Sequence, residues 1–261
     1  MSYSSMFSLD GQVAFVAGGA GAIGSAIAQA LAGAGAGVAV CDLAPDGVQA
    51  VATKIAATGA GSFALSGDLT EEADAEQAVA RTLERFGRLD IVVNAIGGGA
   101  GKVLYKAEDY PRAAWDWIME LNLRSTLVTT QAAVKPMIAA GRGGRVLNIS
   151  SVRAQLGIDS GYSAYVAAKG AVSSLTRQWA TEWAGHRVTV NAIAPTFVDT
   201  PQVAMLLGDP DFKAGVVRRI PLGRVGGTGD LTGAAVFFCS PAASFVTGQI
   251  LTIDGGLTAT Q

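Results

Sequence analysis

Short apolar runs alternate with helical segments along most of the chain. Seven of these runs are predicted to be buried strands, at residues 12–17, 37–42, 61–68, 89–95, 144–150, 187–195 and 249–254. Helical patterns lie between them, most clearly in residues 25–35, 71–87, 112–141 and 161–183. Strands that alternate with helices form a parallel sheet covered by helices on both faces. The pattern therefore predicts the α/β class, with a doubly wound, seven-stranded parallel sheet.

One segment departs from this alternation. The apolar residues between positions 200 and 219 keep no steady period, so we expect an irregular, mobile segment that covers a site. No repeat, low-complexity tract or linker divides the rest of the sequence. Residues 1–261 are therefore expected to form a single domain.

The composition is typical of a globular protein that binds a small molecule. Hydrophobic residues make up 50% of the chain and charged residues 15%, and the formal net charge is −2. The lysines and arginines are scattered, so neither nucleic acid nor an anionic membrane surface is an expected partner. Residues 12–41 carry no charge, but their many glycines disfavour insertion into a bilayer, so we expect no membrane span.

The cysteines and the histidine do not suggest a metal centre. Cys41 and Cys239 lie far apart, with no histidine beside either of them. This arrangement predicts neither a metal site nor a disulfide framework, and it fits a cytoplasmic location. His186, the only histidine, precedes a predicted strand, and we expect it at the surface.

A glycine-rich turn follows the first predicted strand and contains Gly18, Gly19, Gly21 and Gly24. Glycines let the backbone turn sharply and approach a pyrophosphate, which the free N–H groups of the following helix attract. The same glycines would also permit close packing between a helix and a strand. The turn alone therefore leaves both interpretations open.

Asp42, at the end of the second predicted strand, favours the nucleotide interpretation. A carboxylate at this place accepts hydrogen bonds from the ribose hydroxyls of a dinucleotide and repels a 2′-phosphate. No lysine or arginine stands in the glycine turn or directly after Asp42. The two features predict a single dinucleotide-binding catalytic domain with the Rossmann fold, and NAD rather than NADP as the cofactor.

Tyr165 and Lys169 are four positions apart on a predicted helix, which places both on one face. A free tyrosine has a pKa of about 10, and an ammonium ~4 Å away at an effective dielectric near 20 supplies about 4 kcal/mol, enough to bring that pKa near neutral. The plainer alternative is a core tyrosine beside a lysine that reaches solvent. Ser151 ends the fifth predicted strand at the same edge of the sheet and favours a catalytic group.

These motifs resemble the short-chain dehydrogenase/reductase family over nearly the whole chain. The family pattern TGxxxGxG corresponds to AGGAGAIG at 17–24, NNAG to NAIG at 94–97, PGxxxT to PTFVDT at 195–200 and DGG to DGG at 254–256. The helix asparagine of the family corresponds to Asn122, its active-site serine to Ser151, and its YxxxK to YVAAK at 165–169. The chain departs from the family pattern at Ala17, Ala22, Ala95 and Thr196. The resemblance therefore leaves the cofactor affinity and the fine geometry around the nicotinamide open.

The resemblance implies an oxidoreductase that interconverts a secondary alcohol and a ketone with NAD(H) and without a metal. Tyr165 would be the general acid/base, Lys169 would lower the pKa of the tyrosine and bind the nicotinamide ribose, and Ser151 would orient the carbonyl. Asn122 would hold a water that relays protons from Lys169. The implied cofactor contacts are Gly18, Gly21, Ala22, Ile23, Gly24, Asp42, Asp68, Leu69, Asn94, Ala95, Gly97, Tyr165, Lys169, Pro195, Val198 and Thr200. For Asp68 the alternative is a carboxylate at a helix N-terminus.

The substrate is less constrained than the reaction. The candidate contacts are Arg153, Gln155, Tyr162, Thr196 and Phe197, together with Val152, Leu156 and the segments 98–106 and 203–207. The polar members favour a polyol, sugar or sugar acid, whereas the apolar segment favours hydrophobic or cyclic ketones or β-ketoacyl thioesters, and family membership does not decide between them.

Two further expectations follow from the resemblance. A catalytically inactive NAD-sensing protein is the alternative from another functional class, but such a protein would not need the complete set Asn122, Ser151, Tyr165 and Lys169. Family members usually pair their long helices, here residues 112–140 and 161–183, so the chain is expected to form a homotetramer.

Overall fold

The seven predicted strands form one parallel sheet. The computed structural model describes residues 4–159 and 161–260, so residues 1–3, 160 and 261 of the predicted domain lie outside it. The strands are Val13–Ala17 (β1), Gly37–Asp42 (β2), Ser62–Ser66 (β3), Ile91–Asn94 (β4), Gly144–Ile149 (β5), Val188–Pro195 (β6) and Ile250–Ile253 (β7). Their order is β3-β2-β1-β4-β5-β6-β7, and every neighbouring pair is parallel. The predicted α/β class and doubly wound sheet are confirmed.

Helices connect the strands across both faces of the sheet. They are Ala22–Gly33 (α1), Pro45–Ala56 (α2), Glu72–Phe86 (α3), Arg112–Met119 (α4), Ser125–Ala140 (α5), Ser163–Trp183 (α6), Pro201–Leu207 (α7), Pro210–Arg218 (α8) and Gly229–Cys239 (α9). Helices α1, α3 and α6 match predicted segments within a few residues. The sequence pattern did not single out α2 and α9.

The central strands are mostly apolar because both faces of the sheet are buried there. Along β1, Ala14 and Val16 pack with α1, α2 and α9, whereas Phe15 and Ala17 pack on the opposite face with α3, α5 and α6. Successive residues of a strand point to opposite faces, so a doubly covered strand needs apolar residues at every position. This explains why the strands appear in the sequence as short continuous runs.

The long helix predicted at residues 112–141 is interrupted. Glu120–Arg124 forms a π-helical turn between α4 and α5. A π-turn inserts one extra residue per turn and is common at functional sites. Asn122 lies in this turn, which the helical period of the sequence did not reveal.

The irregular segment expected at residues 200–219 is in fact two short helices, α7 and α8, so that expectation is wrong. Each begins with a proline, whose missing N–H costs nothing in a first turn. The Asp209 carboxylate caps α8 by accepting hydrogen bonds from the N–H groups of Asp211 (2.9 Å) and Phe212 (3.3 Å). Helices this short span too few turns to show a helical period. The mobility of the segment stays a prediction.

The strand order reverses between β1 and β4, which are hydrogen-bonded neighbours. Ligands of doubly wound sheets bind at the carboxyl ends of the strands beside such a switch point. The segments that follow β1, β4, β5 and β6 all emerge at this edge, and they carry most of the predicted site residues. Among the described residues, no helix has both the length and the apolar character needed to cross a membrane.

Candidate active site

A cavity of about 390 Å³ opens at this edge of the sheet. It brings together many of the predicted residues, namely Gly21, Ala22, Ile23, Gly24, Ala95, Gly97, Ser151, Val152, Arg153, Tyr162, Tyr165, Lys169, Pro195, Thr196, Phe197, Val198 and Thr200. The lining combines loop backbone, apolar side chains and a few polar groups, which is typical of a small-molecule site.

The glycine turn needs its glycines for close packing. Gly18 has a φ of +76°, and a Cβ there would lie 2.7 Å from the backbone carbon of Ala95. A Cβ on Gly24 would overlap the carbonyl oxygen of Gly18. The packing interpretation of these glycines is therefore correct, and it is compatible with the nucleotide interpretation, because Gly21 and Gly24 of the same turn also line the cavity.

The start of α1 offers unpaired donors to the cavity. Gly21 precedes the helix and has no side chain to cap it. The N–H groups in the first turn of a helix have no acceptor within that helix, and here they belong to Ala22, Ile23 and Gly24, which line the cavity. Such donors, at the positive end of the helix dipole, fit the pyrophosphate of a dinucleotide.

Asp42 is fixed beside the glycine turn, at the end of β2. Its Oδ2 accepts a hydrogen bond from the Ala20 N–H (3.1 Å), and its Oδ1 accepts one from the Leu43 N–H (2.8 Å). A carboxylate has about four acceptor sites, so two more remain for ribose hydroxyls. The residues around the glycine turn thus fit the adenosine and pyrophosphate part of a nicotinamide dinucleotide.

Two further predicted cofactor contacts follow β3. Asp68 Oδ1 accepts hydrogen bonds from the N–H (3.0 Å) and the hydroxyl (2.7 Å) of Thr70, which supports the alternative of a carboxylate that orders the start of α3. The side chain of Leu69 is buried in the core between the sheet and α3, so only its backbone can contact a ligand.

Asn94 lies behind the cavity rather than in its lining. Its Nδ2 donates to Thr130 Oγ1 and to Asn148 Oδ1, both at 2.8 Å, and Asn148 Nδ2 donates to Thr176 Oγ1 at 2.9 Å. These buried bonds connect β4 and β5 with α5 and α6. The Asn94 side chain is thus placed to position the loop after β4, and the contact of Asn94 with a cofactor stays a prediction.

Asn122 holds that loop from the other side. Its Oδ1 accepts from the Gly98 N–H at 2.8 Å, and its Nδ2 donates to the carbonyl oxygens of Gly98 and Ile118 at 3.0 Å each. A Cβ on Gly97 would lie 2.7 Å from Asn122 Oδ1 and 3.0 Å from Lys169 Nζ. The loop therefore fits between the π-turn and the lysine only without a side chain. The proton relay through Asn122 stays a prediction.

Ser151, Tyr165 and Lys169 converge in the cavity, as the sequence predicted. Ser151 follows β5, and the other two residues occupy successive turns of α6. Lys169 is only 3% exposed, and its Nζ donates to the Ile149 carbonyl oxygen at 2.9 Å. Burial lowers the pKa of Lys169 to about 8, because the charged ammonium loses its hydration.

Burial acts on Tyr165 in the opposite sense to the sequence-based prediction. It raises the pKa of the Tyr165 phenol, while a hydrogen bond with Ser151 acts more weakly to lower that pKa. Lys169 Nζ lies 5.8 Å from the centre of the Tyr165 ring, over the ring face, and is held by Ile149. The influences that lower the pKa of Tyr165 in this structure are the Ser151 hydrogen bond and the positive charge of Arg153, and desolvation outweighs both. The lowering of that pKa by Lys169 stays a prediction.

The predicted substrate residues divide between the cavity and the surface. Arg153, Tyr162, Thr196 and Phe197 line the cavity, whereas Gln155 is exposed and lies outside its lining. The turn Val152–Ala154 explains the difference, because it directs Arg153 inwards and ends at Gln155. The prediction of Gln155 as a substrate contact is thus not supported, and Leu156 likewise lies outside the lining.

A polar contact that the sequence did not predict joins α7 to the site. Gln202 Nε2 donates to the Gly97 carbonyl oxygen at 3.3 Å, and Val203 and Leu206 of the same helix line the cavity. Phe197 packs edge-on against Phe212 of α8, with ring centres 5.9 Å apart. These contacts place both short helices beside the substrate end. No sequence signal identified Gln202, because its partner lies far away in the chain.

The two cysteines and the histidine do not line the cavity. Cys41 and Cys239 are buried, and burial raises the pKa of each thiol to about 12. His186 is exposed, as predicted. In the part of the chain that the structure describes, no three His, Cys, Asp or Glu side chains are grouped as metal ligands.

Comparisons with known proteins match this geometry. A family model described as enoyl-(acyl carrier protein) reductase matches residues 18–258. A gluconate 5-dehydrogenase of Gluconobacter oxydans is 35% identical over 258 residues, which cover 99% of each chain. An NAD-dependent glycerol dehydrogenase of Listeria innocua is 36% identical over 252 residues, 97% of this chain and 96% of that protein. The structure of a gluconate 5-dehydrogenase from Burkholderia cenocepacia in complex with NADP and tartrate is 32% identical, covers 100% of both chains and has a TM-score of 0.92.

Proposed function

The chain belongs to the short-chain dehydrogenase/reductase family, and from that premise we propose that it uses NAD(H) to interconvert a secondary alcohol and a ketone in a polyol, sugar or sugar acid. That the chain is an oxidoreductase acting on CH–OH groups follows from its relatives. The cofactor preference, the substrate class and the roles of the residues are the proposal.

One observation supports the proposal most directly. The hydroxyl groups of Ser151 and Tyr165 lie in the same cavity as the unpaired donors at the start of α1. A site for the oxygen of a substrate is thereby joined to a site for a dinucleotide. A binding protein without activity would need only the second of these sites, so the pairing favours an enzyme.

The residues would divide the work as follows. A bound nicotinamide dinucleotide supplies the two-electron redox chemistry at the substrate carbon. Tyr165 gives a proton to, or takes one from, the substrate oxygen, and its raised pKa keeps the hydroxyl protonated for carbonyl reduction at neutral pH. Ser151 donates a hydrogen bond to the same oxygen. Lys169 is held by the Ile149 carbonyl and binds ribose hydroxyls while it stabilises the phenolate formed in the cycle.

NAD is the proposed cofactor because of the surroundings of Asp42. The Asp42 carboxylate is hydrogen-bonded to the glycine turn, where it would repel a 2′-phosphate. The residues that follow are Leu43, Ala44, Pro45 and Asp46, none of which is basic. The relatives differ on this point, since one is named for NAD and another was solved with NADP. The preference of this chain therefore needs its own measurement.

The proposed substrate class rests on the polar part of the lining. Thr196 Oγ1 is buried and has no hydrogen-bond partner among the described residues, and Arg153 and Tyr162 lie in the same cavity. These groups suit a hydroxylated substrate, and the names of two relatives contain gluconate and glycerol. Val203 and Leu206 favour the second candidate, a reductase of hydrophobic or cyclic ketones.

A substrate panel tests the proposal. Reduction of NAD and of NADP would be followed by absorbance with alditols, aldoses, aldonates, cyclic alcohols and β-hydroxyacyl thioesters at one pH and one ionic strength. We expect turnover with hydroxylated substrates and NAD. Turnover confined to cyclic alcohols or acyl thioesters would support the second candidate. Binding of a dinucleotide without turnover of any substrate in the panel would support the catalytically inactive NAD-sensing protein.

The assembly is proposed by family analogy to be a homotetramer that pairs residues 112–140, which span α4 to α5, and residues 161–183, which contain α6. Light scattering at micromolar concentration measures the mass directly. The mass of a monomer, 26.4 kDa, would contradict the proposal.

A further inference from the structure

Arg153 is held inside the reaction cavity by the catalytic serine. It is 5% exposed and lines the cavity together with Ser151 and Tyr165. Its backbone N–H donates to Ser151 Oγ at 3.1 Å, within the turn Val152–Ala154. The position of the arginine is thus coupled to that of the group that binds the substrate oxygen.

The positive charge of Arg153 has no carboxylate partner in the described chain. Its Nη1 donates to the Gly157 carbonyl oxygen at 3.0 Å, and none of the four ion pairs among the described residues includes it. The charged group that acts on it most is Arg219, of like sign, which together with burial lowers the pKa of the guanidinium. The phenols of Tyr162 and Tyr165, the other titratable groups that act on it, are neutral at pH 7 because burial raises the pKa of each.

A buried charge without a counter-ion destabilises a fold unless a ligand compensates it. One hydrogen bond to Gly157 leaves most of the five guanidinium donors for such a ligand. The planar fork of an arginine matches the two oxygens of a carboxylate. A neutral polyol could share these donors but would leave the charge uncompensated.

We propose that Arg153 binds the carboxylate of the substrate, so that the enzyme acts on sugar acids in preference to the corresponding polyols. This inference rests on the proposed function and makes it more specific. Arg153 is then a specificity-determining residue, which binds the carboxylate while the hydroxyls of Ser151 and Tyr165 bind the oxygen that reacts.

The experiment compares substrates that differ in one group. D-gluconate and D-glucitol have six-carbon chains that differ at C1, which is a carboxylate in the first and a hydroxymethyl group in the second, and D-threonate and D-threitol form a second pair. For the natural chain, kcat/KM for the better aldonate is expected to exceed that for its alditol by at least about 30-fold, the worth of a charge-assisted hydrogen bond. In Arg153→Gln the ratio is expected to fall below about threefold, because the aldonate loses far more activity than the alditol.

Two further variants separate binding from structure. Arg153→Lys keeps the charge without the fork, so an intermediate ratio is expected. Arg218→Gln removes an exposed arginine near the end of α8 and is the matched control, with both substrates expected to change less than twofold. Circular dichroism and thermal unfolding confirm that each variant is folded.

Each other outcome overturns the inference. An equal fall in kcat/KM for both substrates in Arg153→Gln, with a shifted pH profile, would show a different role for Arg153. The arginine would then tune the pKa of the Tyr165 phenol or stabilise the loop at Gly157. An alditol preference in the natural chain would refute carboxylate binding but leave the proposed oxidoreductase standing. Failure of aldonates and alditols alike, with turnover of cyclic ketones, would instead refute the proposed substrate class itself.

Discussion

The proposed site has an adenosine end at the glycine turn and a catalytic end around Tyr165, and the two ends are formed by different kinds of chemical group. At the adenosine end, the glycine turn and the start of α1 present backbone N–H groups, and Asp42 is the main charged group, tied to two of its neighbours' N–H groups. At the catalytic end, four side chains with shifted pKa values, Arg153, Tyr162, Tyr165 and Lys169, are packed within one cavity. The adenosine end therefore depends on the conformation of the backbone, and the catalytic end depends on buried, desolvated side chains.

This difference determines how each end responds to substitution. Backbone donors cannot be removed by mutation, so the adenosine end is sensitive to added volume at its glycines. The catalytic end is sensitive to the loss of single polar atoms. It also carries a cost in stability, since burial of a charged group disfavours the folded state.

The largest effect is expected at the catalytic end, from Tyr165→Phe. The ring and its packing stay, and only the proton-transferring hydroxyl is lost, so kcat is expected to fall at least ~1,000-fold while the Kd for NADH changes less than about threefold. Steady-state assays and NADH fluorescence titration measure the two quantities. Tyr162→Phe is the control and is expected to be mild. Equal losses in both folded variants would show that Tyr165 is not the sole acid/base.

At the adenosine end, Gly24→Ala is expected to weaken cofactor binding, in contrast to Tyr165→Phe, which is expected to leave it nearly unchanged. The added Cβ would overlap the Gly18 carbonyl oxygen, so the turn must shift, at a cost of about 2–4 kcal/mol in unfolding free energy and about 30-fold or more in NAD affinity. Gly33→Ala on the same helix is the control, because a Cβ there meets open space. This control should raise the free energy of unfolding by about 0.5–1 kcal/mol. Unchanged NAD affinity in Gly24→Ala would contradict the assignment of this turn.

The stability cost of the catalytic end can be measured with Lys169→Met. The folded-state pKa of about 8 lies below the ordinary value of 10.5, so between these values the unfolded chain binds more protons and stability rises with pH. At pH 7 the full penalty is present, and the variant is expected to be more stable than the natural chain by about 1–3 kcal/mol, although inactive. This advantage should shrink as the pH rises from 8 to 10.5.

Urea unfolding at several pH values measures the difference. Lys135→Met is the control, because Lys135 lies at the surface in an ion pair with Glu76, and no such pH dependence is expected from it. A Lys169→Met variant that is less stable at pH 7, or a difference that does not vary with pH, would contradict a buried ammonium.

The smallest effect concerns the charge at the adenosine end. NAD should be preferred over NADP by at least about tenfold in kcat/KM, or ~1.4 kcal/mol, since a 2′-phosphate would meet the Asp42 carboxylate. Asp42→Ala should weaken NAD and narrow the preference, and adding Leu43→Arg should narrow it further by giving the phosphate a partner. Equal efficiency with both cofactors in the natural chain, at one substrate and ionic strength, would remove the role assigned to Asp42.

The sequence by itself determined the sheet, the glycine turn, Asp42 and the convergence of Ser151, Tyr165 and Lys169. Each of these depends on a local period or spacing, or on the rule that parallel strands end at one edge, and such features can be read along the chain. The packing role of Gly18 and Gly24 was foreseen as an alternative for the same reason.

Only the tertiary structure decided the rest. Asn94 lies behind the cavity, Gln155 lies outside it, and Arg153 lines it. Gln202 is hydrogen-bonded to the loop at Gly97, and burial raises the pKa of Tyr165. Burial and long-range contacts set these outcomes, and both depend on segments that are distant in sequence. A spacing shows which side chains can meet, whereas the surrounding packing decides how much water, and therefore how much charge, each of them keeps.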